Sequence, residues 1–160
     1  MSPKITVFID NEGKPTNIPT YESIIKQSVE LRPRQETAIN INGVRIALDR
    51  SSDTDVWVKF GPTIKMGEAR MHHFVVRYLE AHNITAVRAP RVYLAFTLGN
   101  SGFIVFEYID GPTCNYSDIP IIAAAVQVLI EIPSPCMTPG PVGGGVIENP
   151  FFIDRKSDIW

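Results

Sequence analysis

The alternation of apolar and polar positions changes period several times along the chain, and each change marks an element. Residues 5–9, ITVFI, read as a short strand, and NEGKPTNIP behind them supplies turn and breaker residues. Thr20 is placed to cap a helix in which Ile24, Ile25, Ser28 and Leu31 recur at helical spacing until Pro33 ends the pattern. In TAININGVRIALDR, residues 37–50, two β-type runs flank Asn42-Gly43. That pair is a strong two-residue hairpin signal and predicts two antiparallel strands. SSDTD turns the chain into a further strand, DVWVKF, which ends at Gly61-Pro62.

From Met66 the period lengthens to that of a helix. Met71, Phe74, Val75, Tyr78 and Leu79 share one face, while Glu68, Arg70, Arg77 and Glu80 fall largely off it, so a helix is predicted to about Ala81. RVYLAF and FIVFEYI follow as two strands around the turn LGNSG, and Asp110-Gly111-Pro112 ends the sheet. Pro120 suits the first turn of a second apolar helix, Ile119 to Glu131, because its missing N–H is not needed there. After Ile132, proline and glycine are too dense for regular structure. The order of strands, helix and two returning strands predicts an α+β fold. It comprises a five-stranded, mainly antiparallel sheet, a crossing helix, and a helical and irregular C-terminal segment.

A chain of 160 residues with 44% hydrophobic and 20% charged positions has room for one ordinary core and is too apolar to be disordered. Its 15 basic and 17 acidic residues form no basic run or arginine-rich face, which argues against a nucleic-acid partner. Asp10, Asn11 and Glu12 cut the first apolar stretch too short for a signal-peptide core. Ile119 to Ile132 is too short for a bilayer and contains Gln127 and Glu131. The expectation is a soluble, cytoplasmic protein without a membrane partner. Cys114 and Cys136 lack ligand spacing and read as reduced thiols. His72 and His73, adjacent on a helix, point about 100° apart and cannot face one metal as an i, i+4 pair would.

One residue breaks the pattern. Lys59 stands among Val56, Trp57, Val58 and Phe60, and a cation in such a run is costly to hold from water without an opposite charge. Glu68, nine residues on, is the first candidate partner. Two alternatives stand beside the pair: a Lys59 ammonium that snorkels to water, and a Glu68 favoured in a first helical turn by the helix dipole alone.

A lysine strand, a helix glutamate and a two-strand return to a crossing segment are the plan of a protein-kinase small lobe. VWVKFG, GEARMHHFV, PRVYLAF and FIVFEYIDG, in that order, resemble the aminoglycoside-phosphotransferase-like and choline-kinase-like family, best over residues 56–111 and more weakly through PGPVGGG. The resemblance implies a small lobe with an N-terminal extension over residues 1–111. It implies a hinge-following helix and Pro/Gly-rich linker over 112–160, with a larger lobe expected to begin where the chain stops at Trp160. It makes Lys59 the phosphate-contacting lysine and Glu68 its helix partner. EYIDG becomes the hinge, with the backbone of Glu107 and Ile109 at an adenine edge and Phe106 at the back of the pocket. ATP and Mg are the implied cofactors.

Two departures from the family shape the functional expectation. Phosphoryl transfer needs carboxylates to orient the acceptor and hold magnesium, and the family's His-x-Asp segment, downstream Asn and second aspartate have no match at His72, His73 or His82. The late acids are Glu148, Asp154 and Asp158. In addition, a two-residue Asn42-Gly43 turn is tighter than a glycine-rich flap, and GPVGGGV lacks the following lysine and helix start of a phosphate loop and reads as a connector. The expectation is a truncated, kinase-like nucleotide-binding protein unable to transfer phosphate alone. The alternative is a non-catalytic interaction module, self-associating or bound to a protein partner that covers the hinge side.

Overall fold

The computed structural model describes residues 4–35, 43–48, 55–135 and 142. Among them the chain forms β1 (Ile5–Asp10), α1 (Tyr21–Gln35), β2 (Gly43–Ala47), β3 (Asp55–Gly61), α2 (Met66–Ala81), β4 (Val92–Leu98) and β5 (Ser101–Glu107). A short 3-10 turn at Tyr116–Asp118 then leads into α3 (Ile119–Ile130). The strands build one five-stranded sheet in the order β1-β4-β5-β3-β2, with every neighbouring pair antiparallel. The fold is α+β, as the sequence pattern predicts.

Strand alternation divides the sheet into two apolar faces. Val44, Ile46, Val56, Val58, Phe60, Leu94, Phe96, Phe103 and Val105 point to one, where Ile24 of α1 completes the cluster and Tyr21 meets Phe96 edge-on at 5.0 Å. Trp57, Val92, Ala95, Ile104 and Phe106 point to the other, against Met66 and Ala69 of α2. The sheet is therefore a middle layer between two helices.

Thr20 caps α1 through Ser23 N–H at 3.3 Å, and Ile24 and Ser28 are fully buried, as their spacing implies. The helix does not stop at Pro33 but runs to Gln35. Pro33 lacks the N–H that would reach the Val29 carbonyl, so the last turn continues with one helical hydrogen bond fewer. Of the two strands predicted over 37–50, Gly43–Ala47 is a strand paired to β3, and residues 36–42 lie outside the described residues. Gly43 is a strand position opposite Lys59, and a Cβ there would fall 2.4 Å from the Trp57 indole. The fifth strand of the sheet is β1, which takes the edge beside β4.

α2 has the predicted bounds but turns differently from expectation. Met66, Gly67, Ala69, Val76 and Leu79 are its buried residues, while Met71 is 37% exposed and Phe74, Val75 and Tyr78 are half-buried. The largest side chains lie on the outer side because the helix approaches the sheet through small residues in its first turn. At the other end, Asn83 adopts φ 53° and the amides of Asn83 and Ile84 reach the carbonyls of Glu80 and Leu79 at 3.2 and 2.9 Å, a Schellman cap. The 61–65 connection that sets the start of α2 lies directly on β5, where a Cβ on Gly102 would fall 2.2 Å from the Ile64 carbonyl oxygen.

Candidate functional site

β3 ends by presenting Trp57 and Lys59 on the α2 side of the sheet, two residues apart as strand period requires. The turn at 62–65 brings Glu68 into the first turn of α2. The Lys59 ammonium and the Glu68 carboxylate meet at 2.5 Å, with 34% and 31% of their side chains exposed. The pair is half-buried, so it is less screened than a surface bridge and retains access to water. Glu68 also keeps its place near the helix N-terminus, where the dipole favours it; the two accounts of this residue hold together.

The pair forms one wall of a recess of about 420 Å³ lined also by Trp57, His72, Pro90, Phe106, Glu107, Tyr108 and Ile109. Phe106 is 5% exposed and backs the recess, and the register aligns Arg45, Trp57, Phe106 and Val92 in one row across four strands. The volume lies within the range of small-molecule sites, and the walls combine apolar side chains with Lys59, Glu68 and Glu107. His72, one turn after Glu68, packs edge-on against Phe106 with ring centroids 5.0 Å apart. Burial holds its pKa below the ordinary histidine value, with Lys59 adding to the effect and Glu68 opposing it.

The main chain leaving β5 offers a limited set of contacts. Glu107 N–H donates to the Arg91 carbonyl at 2.8 Å, so any main-chain contact from Glu107 to a ligand comes from its carbonyl. Its side chain turns the other way, accepting from Arg88 Nη2 at 2.5 Å and from Arg91 N–H at 3.3 Å. Tyr108 N–H donates to the Asp55 carbonyl at 3.3 Å. The Ile109 amide donates to nothing among the described residues, and the residue is 41% exposed at the mouth.

All five residues expected from the sequence, Lys59, Glu68, Phe106, Glu107 and Ile109, thus line one recess. Sequence reasoning missed Trp57, His72, Pro90 and Tyr108. Strand period puts Trp57 on the face of Lys59, and one helical turn puts His72 behind Glu68, so both had a local signal. A larger recess of about 660 Å³ lies around the C-terminal half of α2 and residues 83–91, but its charges are already paired as Arg88–Glu107 and Arg91–Glu80.

Among the described residues no three His, Cys, Asp or Glu side chains converge to hold a metal. The two carboxylates that line the recess, Glu68 and Glu107, are paired with Lys59 and Arg88. Cys114 is an exposed free thiol, and Cys136 lies outside the described residues. No helix among the described residues is long and apolar enough to cross a membrane. Comparison with known proteins finds no matching family model, curated protein or solved structure.

Proposed function

We propose that the chain binds a nucleotide in the recess between β3, α2 and the segment after β5, as a relative of the small lobe of aminoglycoside-phosphotransferase-like and choline-kinase-like kinases. The observation that carries this reading is the 2.5 Å contact between Lys59 and Glu68 beside a flat apolar slot. Glu68 orients the ammonium, Lys59 takes a phosphate oxygen, Trp57 and Phe106 border the base, and the Glu107 carbonyl and Ile109 amide meet its polar edge. A nucleotide would supply the anion and the ring; ATP is the expected ligand, and no described residue set is assigned to Mg. The chain is not expected to transfer phosphate by itself, because the two described carboxylates that line the recess, Glu68 and Glu107, are engaged by Lys59 and Arg88 and neither is left to orient an acceptor.

Thermal melting with ATP, with and without magnesium, tests the reading. ATP raises the melting temperature of the unsubstituted chain and leaves that of Lys59→Met unchanged. An unsubstituted chain indifferent to ATP in both conditions overturns it.

A second reading, an interaction module that self-associates, is favoured by α3. This helix of 12 residues contains no charged side chain, and Ile119, Ile121, Ile122, Val126, Leu129 and Ile130 are all 40% or more exposed. A helix apolar all round belongs in a buried setting. Sedimentation that stays monomeric at high concentration removes this reading. Lys59→Met separates the two, since it abolishes a nucleotide response and leaves association intact.

A further inference from the structure

Three contacts close a triangle at the rim of the recess. The Arg45 guanidinium, on the edge strand β2, lies over the Tyr108 ring with Cζ 4.3 Å from the centroid. The same guanidinium is paired with the Asp55 carboxylate at the start of β3. The Asp55 carbonyl accepts the Tyr108 amide at 3.3 Å. Arg45 is half-exposed while the Asp55 side chain is 11% exposed, so the carboxylate is the fixed corner and the arginine reaches from it over the ring.

The position of the triangle gives it a use. β5 ends at Glu107, and Tyr108, the next residue of the recess wall, keeps a main-chain tie to the sheet through its amide bond to Asp55. Its neighbours on either side, Glu107 and Ile109, also line the recess and carry the main-chain groups that the proposed function assigns to the base edge. A peptide segment leaving a sheet is free to pivot unless a side chain pins it, and a pivot here would swing both groups out of line. Cation–π stacking and one amide hydrogen bond are the ties among the described residues that fix Tyr108.

We infer that Arg45, held by Asp55, is a positioning residue for ligand binding: it clamps the Tyr108 ring and so presets the segment Glu107–Ile109 for a nucleotide base. The inference rests on the nucleotide reading of the recess. Preorganisation lowers the ordering cost of binding, so its loss weakens affinity without removing a ligand contact.

Trp57 and Trp160 are the two tryptophans of the chain, so Trp160→Phe leaves Trp57, in the recess wall, as a single fluorescent reporter. In that background, titration with ATP gives an affinity about tenfold weaker for Arg45→Ala, in line with loss of a cation–π clamp. Tyr108→Ala weakens binding by a similar factor, the double variant is no weaker than Tyr108→Ala, and Tyr108→Phe, which keeps the ring, binds as the parent does. A merely structural arginine would lower the melting temperature without this coupling. A readout free of ligand is the Arg45 Nε–H proton resonance. The Tyr108 ring current displaces it, and it returns to the ordinary arginine position in Tyr108→Leu.

Equal ATP affinity in Arg45→Ala and parent, or losses that multiply in the double variant, overturn the inference while leaving the nucleotide reading intact. An undisplaced Arg45 resonance overturns the clamp whatever ATP does. A parent chain that does not respond to ATP overturns the nucleotide reading, and the inference with it.

Discussion

His72 meets Phe106 edge-to-face, with the two ring planes inclined at 65°, and this contact joins the first half of α2 to the end of β5 behind the recess. Burial against that ring makes the imidazole easier to keep neutral than in water.

The stability of the chain therefore depends on pH in a definite sense. The folded-state pKa of His72 lies below its ordinary value of 6.5, so on acidification the unfolded chain takes up the proton first. The His72 contribution is full above about pH 6.5 and is lost as pH falls through the folded value. Melting temperatures measured between pH 7.5 and 5 should decline, and His72→Phe should flatten that part of the decline. An unchanged slope in His72→Phe would assign the effect to other groups.

Gly43→Ala tests the packing of the recess wall. The new methyl group would overlap the Trp57 indole, whose nearest atom is 2.4 Å from the Cβ position, and the indole has to rotate or shift. Overpacking of this kind costs about 1–3 kcal/mol. A lowered melting temperature together with an altered Trp57 emission maximum in a Trp160→Phe background is expected. A variant with the emission of its parent would show that the indole has room to spare.

Gly102→Ala acts on the site from a distance. Its methyl group would press on the Ile64 carbonyl, a main-chain atom that cannot swing aside, and so lift the connection between β3 and α2. About 1–3 kcal/mol of destabilisation is expected from the overpacking. Because that connection sets where Glu68 stands, the proposed function implies that ATP affinity falls as well. Chemical denaturation and ATP titration of the same variant check the two effects, and a chain as stable as the parent would contradict the contact.

Ser28 offers the opposite sign. Its hydroxyl is fully buried in α1 and has no hydrogen-bond partner among the described residues. An unsatisfied buried group of this type costs about 1–3 kcal/mol, and alanine is the better helix former. Ser28→Ala should raise the melting temperature. A fall would mean that the hydroxyl is bonded after all.

The lysine–glutamate contact was legible in the sequence because charge in an apolar strand demands an answer close by, and the helix nine residues on supplies one. The bounds of α2 and β3 were legible for the same local reason, since period and breakers lie within each segment; β4 and β5 were legible as strands, but Leu98, Ser101 and Gly102 of the expected turn belong to them and β5 ends at Glu107 rather than Ile109. The inward face of α2 was not. Its apolar residues cover more than one side, and periodicity weights Met71 and Phe74 above Gly67 and Ala69. Close approach to a sheet favours the small residues. The partner of β1 was equally hidden, because no local pattern says which distant strand a short edge strand will join. Arg45 and Tyr108 meet only through tertiary structure, which is why the rim escaped a reading that found the floor.

The edge position of β1 has a consequence for synthesis of the chain. Asn11, just after this strand, bonds Val92, 81 residues further on, and among the described residues β4 is the strand that pairs with β1. At the usual pace of translation that distance corresponds to a wait of roughly 4–16 s on the ribosome. During it β1, with its exposed Val7 and Phe8, has no described strand to pair with, so its open edge persists until β4 has been made.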